Sequence, residues 1–237
     1  TSTVLNGKQL FYDSKDSRLA GEQYFSCAAC HTDGGQDGRV WDFSHIGEGL
    51  RNTIGLNGKA GMGQGRVHWS GNFDEIQDFE NPIRQFFSGA GLMTNADFNS
   101  GTHAMPLGDP KTGLSSDLDD LAAYVASLTT FGKSPHRNTD GSLTTDGLAG
   151  QTIFQTTGCT LCHNGAGFTN SHEDNLYDIG TLTTLSGDRL GQPLTGIDTP
   201  TLRGLWNTAP YLHDGSAASL TEAINAHNRY TLSLIHI

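Results

Sequence analysis

Apolar side chains recur at helical spacing in several stretches of the chain. The clearest pattern runs from Leu114 to Leu128, with one apolar face formed by Leu118, Leu121, Ala122, Val125 and Leu128. Ser115 or Ser116 can cap the start of this stretch, and acidic residues fill its first turn. The pattern therefore predicts an amphipathic helix.

A second apolar pattern occurs in two places. Residues 19–25 and 148–154 share the order Leu-Ala-Gly, two variable residues, an apolar residue and Phe. This spacing predicts an internal repeat whose amphipathic helix leads into the segment that follows. Phe73 to Phe87 also has helix-like apolar spacing, although Pro82 should shape or break it. A further helix is predicted from about Ser219 to Ala226.

Loops are expected in much of the remaining chain. Residues 1–18 are polar and are expected to be irregular, and residues 32–66 and 88–113 are loop-like in composition. Residues 131–145 cluster Pro, Gly, Asn and Asp, which predicts a linker between an N-terminal domain, residues 1–134, and a C-terminal domain, residues 135–237. The fold class predicted is all-α and loop-rich, with no sheet beyond short hairpins.

The two ends of the chain carry expectations of their own. The chain starts at Thr1 without a charged-then-apolar leader, so we expect a removed signal peptide or a segment cut from a longer protein. The second half lacks a counterpart of the Leu114–Leu128 helix, and residues 232–237 are unlike a native terminus. We therefore expect the C-terminal domain to be truncated at its end.

One short motif follows each copy of the repeat pattern within a few residues. Cys27-Ala-Ala-Cys30-His31 and Cys159-Thr-Leu-Cys162-His163 are both C-x-x-C-H, the attachment signature of a c-type haem, and they use all four cysteines. Two thiols at this spacing can form thioethers to one haem, and the following histidine can bind the iron as proximal ligand. A single zinc site, redox dithiols or two disulfides are the alternatives, but none of them requires a histidine after each second cysteine.

Composition agrees with two bound haem c groups. Only 35% of the 237 residues are apolar and 31 are glycine, which is lean for this length, and two macrocycles would supply the missing apolar core. The net charge of −11 argues against nucleic acid and anionic membranes as partners and suits a basic redox partner protein. No apolar run approaches ~18 residues, so no membrane span is predicted. Because bacteria attach haem covalently outside the cytoplasmic membrane, a periplasmic or extracellular location is expected.

The chain resembles the bacterial di-haem cytochrome c peroxidase superfamily, which includes the di-haem enzymes of methylamine utilisation. The resemblance is strong over residues 145–227, where Thr-Pro-Thr-Leu-Arg (199–203) and Pro-Tyr-Leu-His-Asp-Gly-Ser (210–216) follow the second motif. It is weaker but collinear over residues 19–130, where Arg-Asn-Thr (51–53) and Trp-Ser-Gly (69–71) match family motifs. It implies two cytochrome c-like domains, each with one covalently bound haem.

The resemblance also implies roles for single residues. Trp69 matches a tryptophan that lies between the two haems, and the alternative is an ordinary core tryptophan. Asn52, Thr208 and Pro210 match positions that bind calcium between the domains, and the alternative is a turn without metal. Gln77 and Glu80 have the residue types of the peroxidatic acid–base pair but are not clearly in register, so no catalytic residue is assigned.

The distal iron ligands are predicted from position. His227 follows the Pro-Tyr-Leu-His-Asp-Gly-Ser motif by the count at which the family places a Met or Tyr on the C-terminal haem, and His213 is its nearest competitor. For the N-terminal haem the candidates are His68, His45, His103 and Met105. His68 is favoured because it stands where the family has an apolar residue pointing into the peroxidatic pocket, and His45 comes next.

Three functions remain in consideration. The favoured one is an electron-transfer cytochrome whose two irons are both six-coordinate. The others are a hydrogen peroxide reductase with an open N-terminal haem and a haem-stacking subunit of an extracellular assembly, in which copies of the chain form an oligomer or a chain.

Overall fold

The computed structural model of the chain describes residues 2–234, with side chains described for residues 2–227. Within this range the α-helices are α1 (Ser2–Tyr12), α2 (Cys27–Cys30), α3 (Glu80–Gln85), α4 (Asn95–Phe98), α5 (Ser116–Ser127), α6 (Thr145–Thr156) and α7 (Leu220–Leu234). Long loops and short 3-10 turns join these helices, so the loop-rich helical fold that the sequence predicts is confirmed for this range. In this part of the chain no helix is long and apolar enough to cross a membrane.

The strands are short and pair only in twos. They are β1 (Val40–Asp42), β2 (Leu50–Asn52), β3 (Leu176–Tyr177), β4 (Asp188–Arg189), β5 (Gln192–Pro193) and β6 (Ile197–Asp198). β1 pairs with β2 and β4 with β5 as antiparallel hairpins, while β3 pairs with β6. The described residues contain no larger sheet, as predicted.

Helix α5 organises the N-terminal half, which we define as residues 2–134. Its N-cap is Ser115, whose hydroxyl accepts a hydrogen bond from the backbone N–H of Leu118, as the sequence predicts. The predicted apolar face is buried against other elements of this half, with Leu118 and Leu121 almost fully buried. Helix α1 packs along α5, and the Phe11 and Tyr124 rings meet edge to face with centroids 5.1 Å apart.

The prediction that residues 1–18 are irregular is wrong, because α1 occupies Ser2–Tyr12. Its sequence Leu-Asn-Gly-Lys-Gln-Leu-Phe (5–11) has the Leu-x-Gly spacing and closing apolar-Phe pair of α6, Leu-Ala-Gly-Gln-Thr-Ile-Phe (148–154). The prediction of a helix at residues 19–25 is also wrong, since these residues form turns. The helical copy of the repeat thus begins earlier, and packing of Val4, Leu10 and Phe11 against the core stabilises it.

The predicted helix from Phe73 to Phe87 is shorter and interrupted. Phe73 forms an isolated bridge with Val67, a 3-10 turn covers Ile76–Phe79, and α3 follows. Pro82 is the third residue of α3, where its missing N–H breaks no helical hydrogen bond. Proline is therefore accommodated near the start of the helix.

The two halves differ in their cores. The main apolar cluster belongs to the N-terminal half. In the C-terminal half, which we define by the described side chains of residues 135–227, buried groups are mainly polar and large apolar side chains such as Ile153 and Leu161 remain exposed. Helix α7 begins near the predicted position and continues beyond it. Residues 235–237, at the suspected truncation, lie outside the described residues, and the domain boundaries remain a prediction.

Candidate haem-binding sites

The second C-x-x-C-H motif forms a tight turn directly after α6. Gly158, with φ +84°, turns the chain into the 3-10 turn Cys159–Leu161, and the backbone N–H of His163 donates to the carbonyl of Cys159 at 3.0 Å. The His163 Nδ1 atom lies 3.1 Å from the carbonyl oxygen of Phe168. A carbonyl can only accept, so Nδ1 carries the proton and Nε2 keeps its lone pair for a metal.

His227 on α7 faces His163. The two ring centroids are 6.5 Å apart with planes at 53°. The Nδ1 atom of His227 donates to the carbonyl of Ala223, one helical turn earlier, at 2.7 Å, which again leaves Nε2 free. Imidazole nitrogens bind metals at about 2 Å, so two rings on opposite sides of one ion have centroids roughly 6 Å apart. The pair therefore fits the two axial positions of one haem iron.

The surroundings of this pair also fit a porphyrin. Leu161 within the motif is 68% exposed, Ile224 on α7 is 62% exposed, and Phe168 beside His163 is 45% exposed. Three large apolar side chains near one site are costly to leave in water, and a macrocycle bound to Cys159 and Cys162 would bury them.

The first motif is the short helix α2, and His31 follows it. The backbone N–H of His31 donates to the carbonyl of Cys27 at 2.9 Å, so both motifs have the same local turn. The Nδ1 atom of His31 is buried and makes no well-formed hydrogen bond with the described residues, although backbone groups of Gly35 and Ile54 favour its protonated form. Burial dominates and lowers the pKa of His31 to about 4, so the ring is neutral and can act as a ligand at pH 7.

His68 is the sequence-predicted distal candidate that lies near His31. A positive charge on His68 would repel one on His31 and so lowers the pKa of His31, which means that the two rings are close enough to interact electrostatically. Burial lowers the pKa of His68 as well. Its Nδ1 atom lies 2.8 Å from the Asn72 side-chain oxygen, so Nδ1 donates and Nε2 is free. The ring is packed against Phe73 and Phe79, with centroid distances of 4.4 and 5.1 Å.

The other candidates for the first haem lie in less suitable places. His45 is exposed on the loop between β1 and β2, where its ring contacts Phe86 at 5.3 Å. His103 donates Nδ1–H to the carbonyl of Asp97 at 2.8 Å and so keeps Nε2 free, but the charges that act on His31 include that of His68 and not that of His103. Met105 is 58% exposed. His213, the competitor of His227, is buried with its Nε2 atom 2.8 Å from the Ser186 hydroxyl oxygen, so that nitrogen is already engaged.

Trp69 and Asn52 lie where the two halves meet. The indole N–H of Trp69 donates to the carbonyl of Asn52 at 2.8 Å, and the Trp69 carbonyl accepts from the backbone N–H of Asp198 at 2.8 Å. The Asn52 amide nitrogen donates to the carbonyl of Pro210 at 2.6 Å, while its side-chain oxygen is buried without a partner among the described residues. The Thr208 hydroxyl donates to the carbonyl of Leu205 at 3.4 Å. In the present orientation the Asn52 side chain presents its amide nitrogen to the Pro210 carbonyl oxygen. A hard cation between them needs the opposite orientation, in which the Asn52 side-chain oxygen faces that carbonyl oxygen.

Gln77 and Glu80 both have structural partners. The Gln77 amide donates to the Asp119 carboxylate at 2.8 Å. The fully buried Glu80 carboxylate accepts hydrogen bonds from the backbone N–H groups of Leu92 and Met93 and from Arg84. These contacts account for the burial of both side chains without a catalytic role.

The cysteines do not support the alternative uses of the motif. All four are free, and burial raises the pKa of the Cys27 and Cys30 thiols to about 11, so neither is the thiolate that redox or zinc chemistry uses. Among the residues with described side chains, no three His, Cys, Asp or Glu groups are arranged to hold a metal ion.

Asn72 and Glu48 also belong to this site, although no sequence motif points to them. Asn72 accepts the His68 N–H, and its own amide donates to the Glu48 carboxylate at 2.5 Å. The only sequence signal is that Asn72 follows His68 by four residues across the Trp-Ser-Gly turn, whereas Glu48 comes from a separate loop.

Comparison with known proteins agrees with the haem chemistry. A family model described as RoxA-like, cytochrome c-like, matches residues 193–232. The chain is 29% identical to hydrazine synthase subunit gamma of Kuenenia stuttgartiensis, over 90% of this chain and 67% of that protein. It is 25% identical to cytochrome c551 peroxidase of Nitrosomonas europaea, over 96% of this chain and 73% of that protein. A solved structure of Kuenenia stuttgartiensis hydrazine synthase shares the fold with a TM-score of 0.67 and 24% identity, covering 96% of this chain and 81% of the other.

Proposed function

We propose that this chain is a member of the di-haem cytochrome c peroxidase superfamily and a di-haem c-type cytochrome that transfers electrons, with both irons six-coordinate. Cys27, Cys30, Cys159 and Cys162 would hold two haem c groups by thioether bonds. His31 and His163 would be the proximal ligands, and His68 and His227 the distal ligands. When bound, the haems supply one-electron redox chemistry.

The observation that carries the proposal is the state of the His68 ring. It is packed against Phe73 and Phe79, interacts electrostatically with His31 of the first motif, and donates its Nδ1 proton to Asn72. A neutral imidazole held in this way presents Nε2 as a ligand where a peroxidase needs an open position. The facing pair His163 and His227 supports the same coordination at the second haem.

The remaining parts of the proposal concern the surroundings. Trp69 would lie between the haems, which suits its place at the contact of the two halves. The acidic chain would exchange electrons with a basic redox protein, outside the cytoplasmic membrane, where covalent haem attachment takes place. Calcium at Asn52, Thr208 and Pro210 would link the halves.

A peroxidase is the second candidate function. It is favoured by the cytochrome c551 peroxidase relative, and its removable ligand would be the exposed His45. A structural subunit of a larger assembly is the third candidate, and the relative named as a subunit of hydrazine synthase favours it.

Peroxide turnover by the half-reduced holoprotein separates the first two functions. We expect negligible turnover by the parent and only low-spin ferric signals in its EPR spectrum. The variant His68→Gly should gain a high-spin first haem that binds added ligands, while the second haem stays low-spin. His45→Gly is the matched control and should resemble the parent. Fast turnover by the parent, or an unchanged spectrum of His68→Gly, would contradict the proposal.

A further inference from the structure

A series of polar contacts begins at the imidazole of His68 and leads away from the first motif. His68 Nδ1 donates to Asn72 Oδ1 at 2.8 Å, and Asn72 Nδ2 donates to Glu48 Oε1 at 2.5 Å. The other carboxylate oxygen of Glu48 lies 3.4 Å from Nε of Arg51. The ring is thus connected through one amide to a charged carboxylate.

Asn72 and Arg51 are buried, and Glu48 between them is partly buried, with its side chain 21% exposed. Asn72 is 4% exposed and Arg51 is 7% exposed. Arg51 Nη1 also donates to the carbonyl of Ser186 in the C-terminal half at 2.8 Å, which fixes the far end of the series. Burying an amide and a guanidinium costs free energy that only well-placed partners offset. The contacts therefore hold Glu48 and Asn72 in one geometry.

An internal comparison shows that the turn itself does not need His68 or Asn72. The bridge between Val67 and Phe73 closes a turn with the same form as the bridge between Tyr211 and Ala217 in the C-terminal half. The first residue inside each turn has a left-handed backbone, with φ +68° for His68 and +70° for Leu212.

The side chains at the matching positions of these two turns differ. Leu212 and Ser216 stand where the first turn has His68 and Asn72. A histidine at the first position and its amide acceptor thus occur together in one turn, whereas the other turn, whose His213 stands at the position of Trp69, has neither at these two positions. Since the backbone forms without them, the pair serves a purpose other than closing the turn.

We propose that Asn72 and Glu48 are positioning residues for His68: Asn72 fixes the ring with Nε2 directed away from the polar series, and Glu48 makes the imidazole a stronger donor. This inference rests on the proposed function, in which His68 binds the first haem iron. An N–H that donates towards an anion increases the basicity of the opposite ring nitrogen, and a more basic ligand favours ferric over ferrous iron. The pair therefore lowers the potential of the first haem without touching it.

The test is a spectroelectrochemical titration of the holoprotein, with EPR of the oxidised form. Glu48→Gln keeps an oxygen for Asn72 and removes only the charge. It should shift the ferric-to-ferrous ratio of the first haem about tenfold towards ferrous at a fixed potential, which is ~59 mV for one electron. Asn72→Leu should shift the potential in the same direction and broaden the low-spin EPR signal, because the ring loses its acceptor. The second haem should be unchanged in both variants.

A matched control separates positioning from stability. Asn81 is also a buried asparagine, and its amide donates to the carbonyl of Ala104 at 2.7 Å. Asn81→Leu should lower Tm as Asn72→Leu does, but leave the potential of the first haem in place. If Asn72→Leu fails to fold, the isosteric Glu48→Gln still decides the outcome.

His68→Gly, measured in parallel, distinguishes a wrong ligand assignment from a wrong positioning role. If His68→Gly leaves the first haem six-coordinate, the ligand assignment and the proposed function fail. If His68→Gly opens the first haem while Glu48→Gln leaves its potential and EPR signal unchanged, the positioning role alone is overturned.

Discussion

At the scale of single residues, hydrogen bonds decide which ring nitrogen of a histidine stays free to bind iron. A free Nε2 atom is necessary for a ligand but not sufficient, because His103 also donates Nδ1–H to a carbonyl. His163 and His227 each donate Nδ1–H to a carbonyl, and His68 donates to an amide oxygen, so all three keep Nε2 free. His213, in contrast, uses Nε2 on Ser186. The positions of His163, His227 and His68 in the sequence led to their prediction as iron ligands. Their hydrogen bonds explain how each of them can bind iron through Nε2.

The residue-scale prediction concerns His227. In the holoprotein, His227→Ala should convert the second haem from low-spin to high-spin and raise its potential, because one strong σ-donor to ferric iron is lost. EPR and a redox titration measure both effects. His172→Ala, which removes an exposed histidine, is the control. A second haem that stays six-coordinate at an unmoved potential would show that His227 is not its ligand.

At the scale of elements, α1 and α6 are two copies of one helix in different surroundings. Gly7 of α1 lies so close to α5 that a Cβ there would collide with the backbone carbonyl of Asp120. Gly150 stands at the matching position of α6, and a Cβ there would meet nothing within 4 Å. None of the α6 side chains is buried. The same helical pattern is thus a packed element in one half and an exposed one in the other.

Substituting these two glycines with alanine should therefore have opposite effects on stability. Gly150→Ala should stabilise the protein by about 0.5–1 kcal/mol, the difference in helix propensity between the two residues. Gly7→Ala should destabilise it by about 1–3 kcal/mol, because the added methyl group forces α1 and α5 apart. Urea denaturation followed by circular dichroism gives both values. Equal effects of the two substitutions would refute the packing difference.

At the scale of the whole molecule, backbone groups and buried side chains join the two halves. The backbone N–H of Asn52 donates to the carbonyl of His213 at 2.6 Å, and Arg51 donates to the carbonyl of Ser186. Arg189 donates in return to the carbonyls of Ser70 and Gly71. These reciprocal contacts surround Trp69, so its environment depends on both halves.

A calcium ion at Asn52, Thr208 and Pro210 would add to this contact. Protein purified without chelator should contain about one calcium per chain, and chelation should lower the free energy of unfolding by about 2.7 kcal/mol if free calcium was present at a hundred times Kd. Metal analysis and thermal unfolding before and after chelation measure this. Asn52→Ala should abolish the response, and Asn57→Ala, which alters an amide bonded to the carbonyl of Asp33, should keep it. Calcium-free protein that has never met chelator would exclude the site.

The sequence by itself determined the parts of this protein that depend on near neighbours along the chain. Both C-x-x-C-H turns follow from five consecutive residues, and the α5 helix follows from its apolar period and the Ser115 cap. The resemblance to the di-haem cytochrome c peroxidase superfamily rests on the same kind of local motif. Local patterns failed where tertiary packing decided the outcome: residues 1–18 have a polar composition, yet residues 2–12 form α1 because Val4, Leu10 and Phe11 pack against the core that contains α5.

Only the tertiary structure decided which distant residues meet. The facing of His163 and His227, the partial burial of His68 against Phe73 and Phe79, and the exposure of His45 all depend on how separate segments pack. Glu48 is the clearest case, because nothing in its sequence neighbourhood distinguishes it from other acidic residues of a loop. Hydrogen bonds and close contacts act over a few ångströms in space, and the folded chain alone brings these groups within that range.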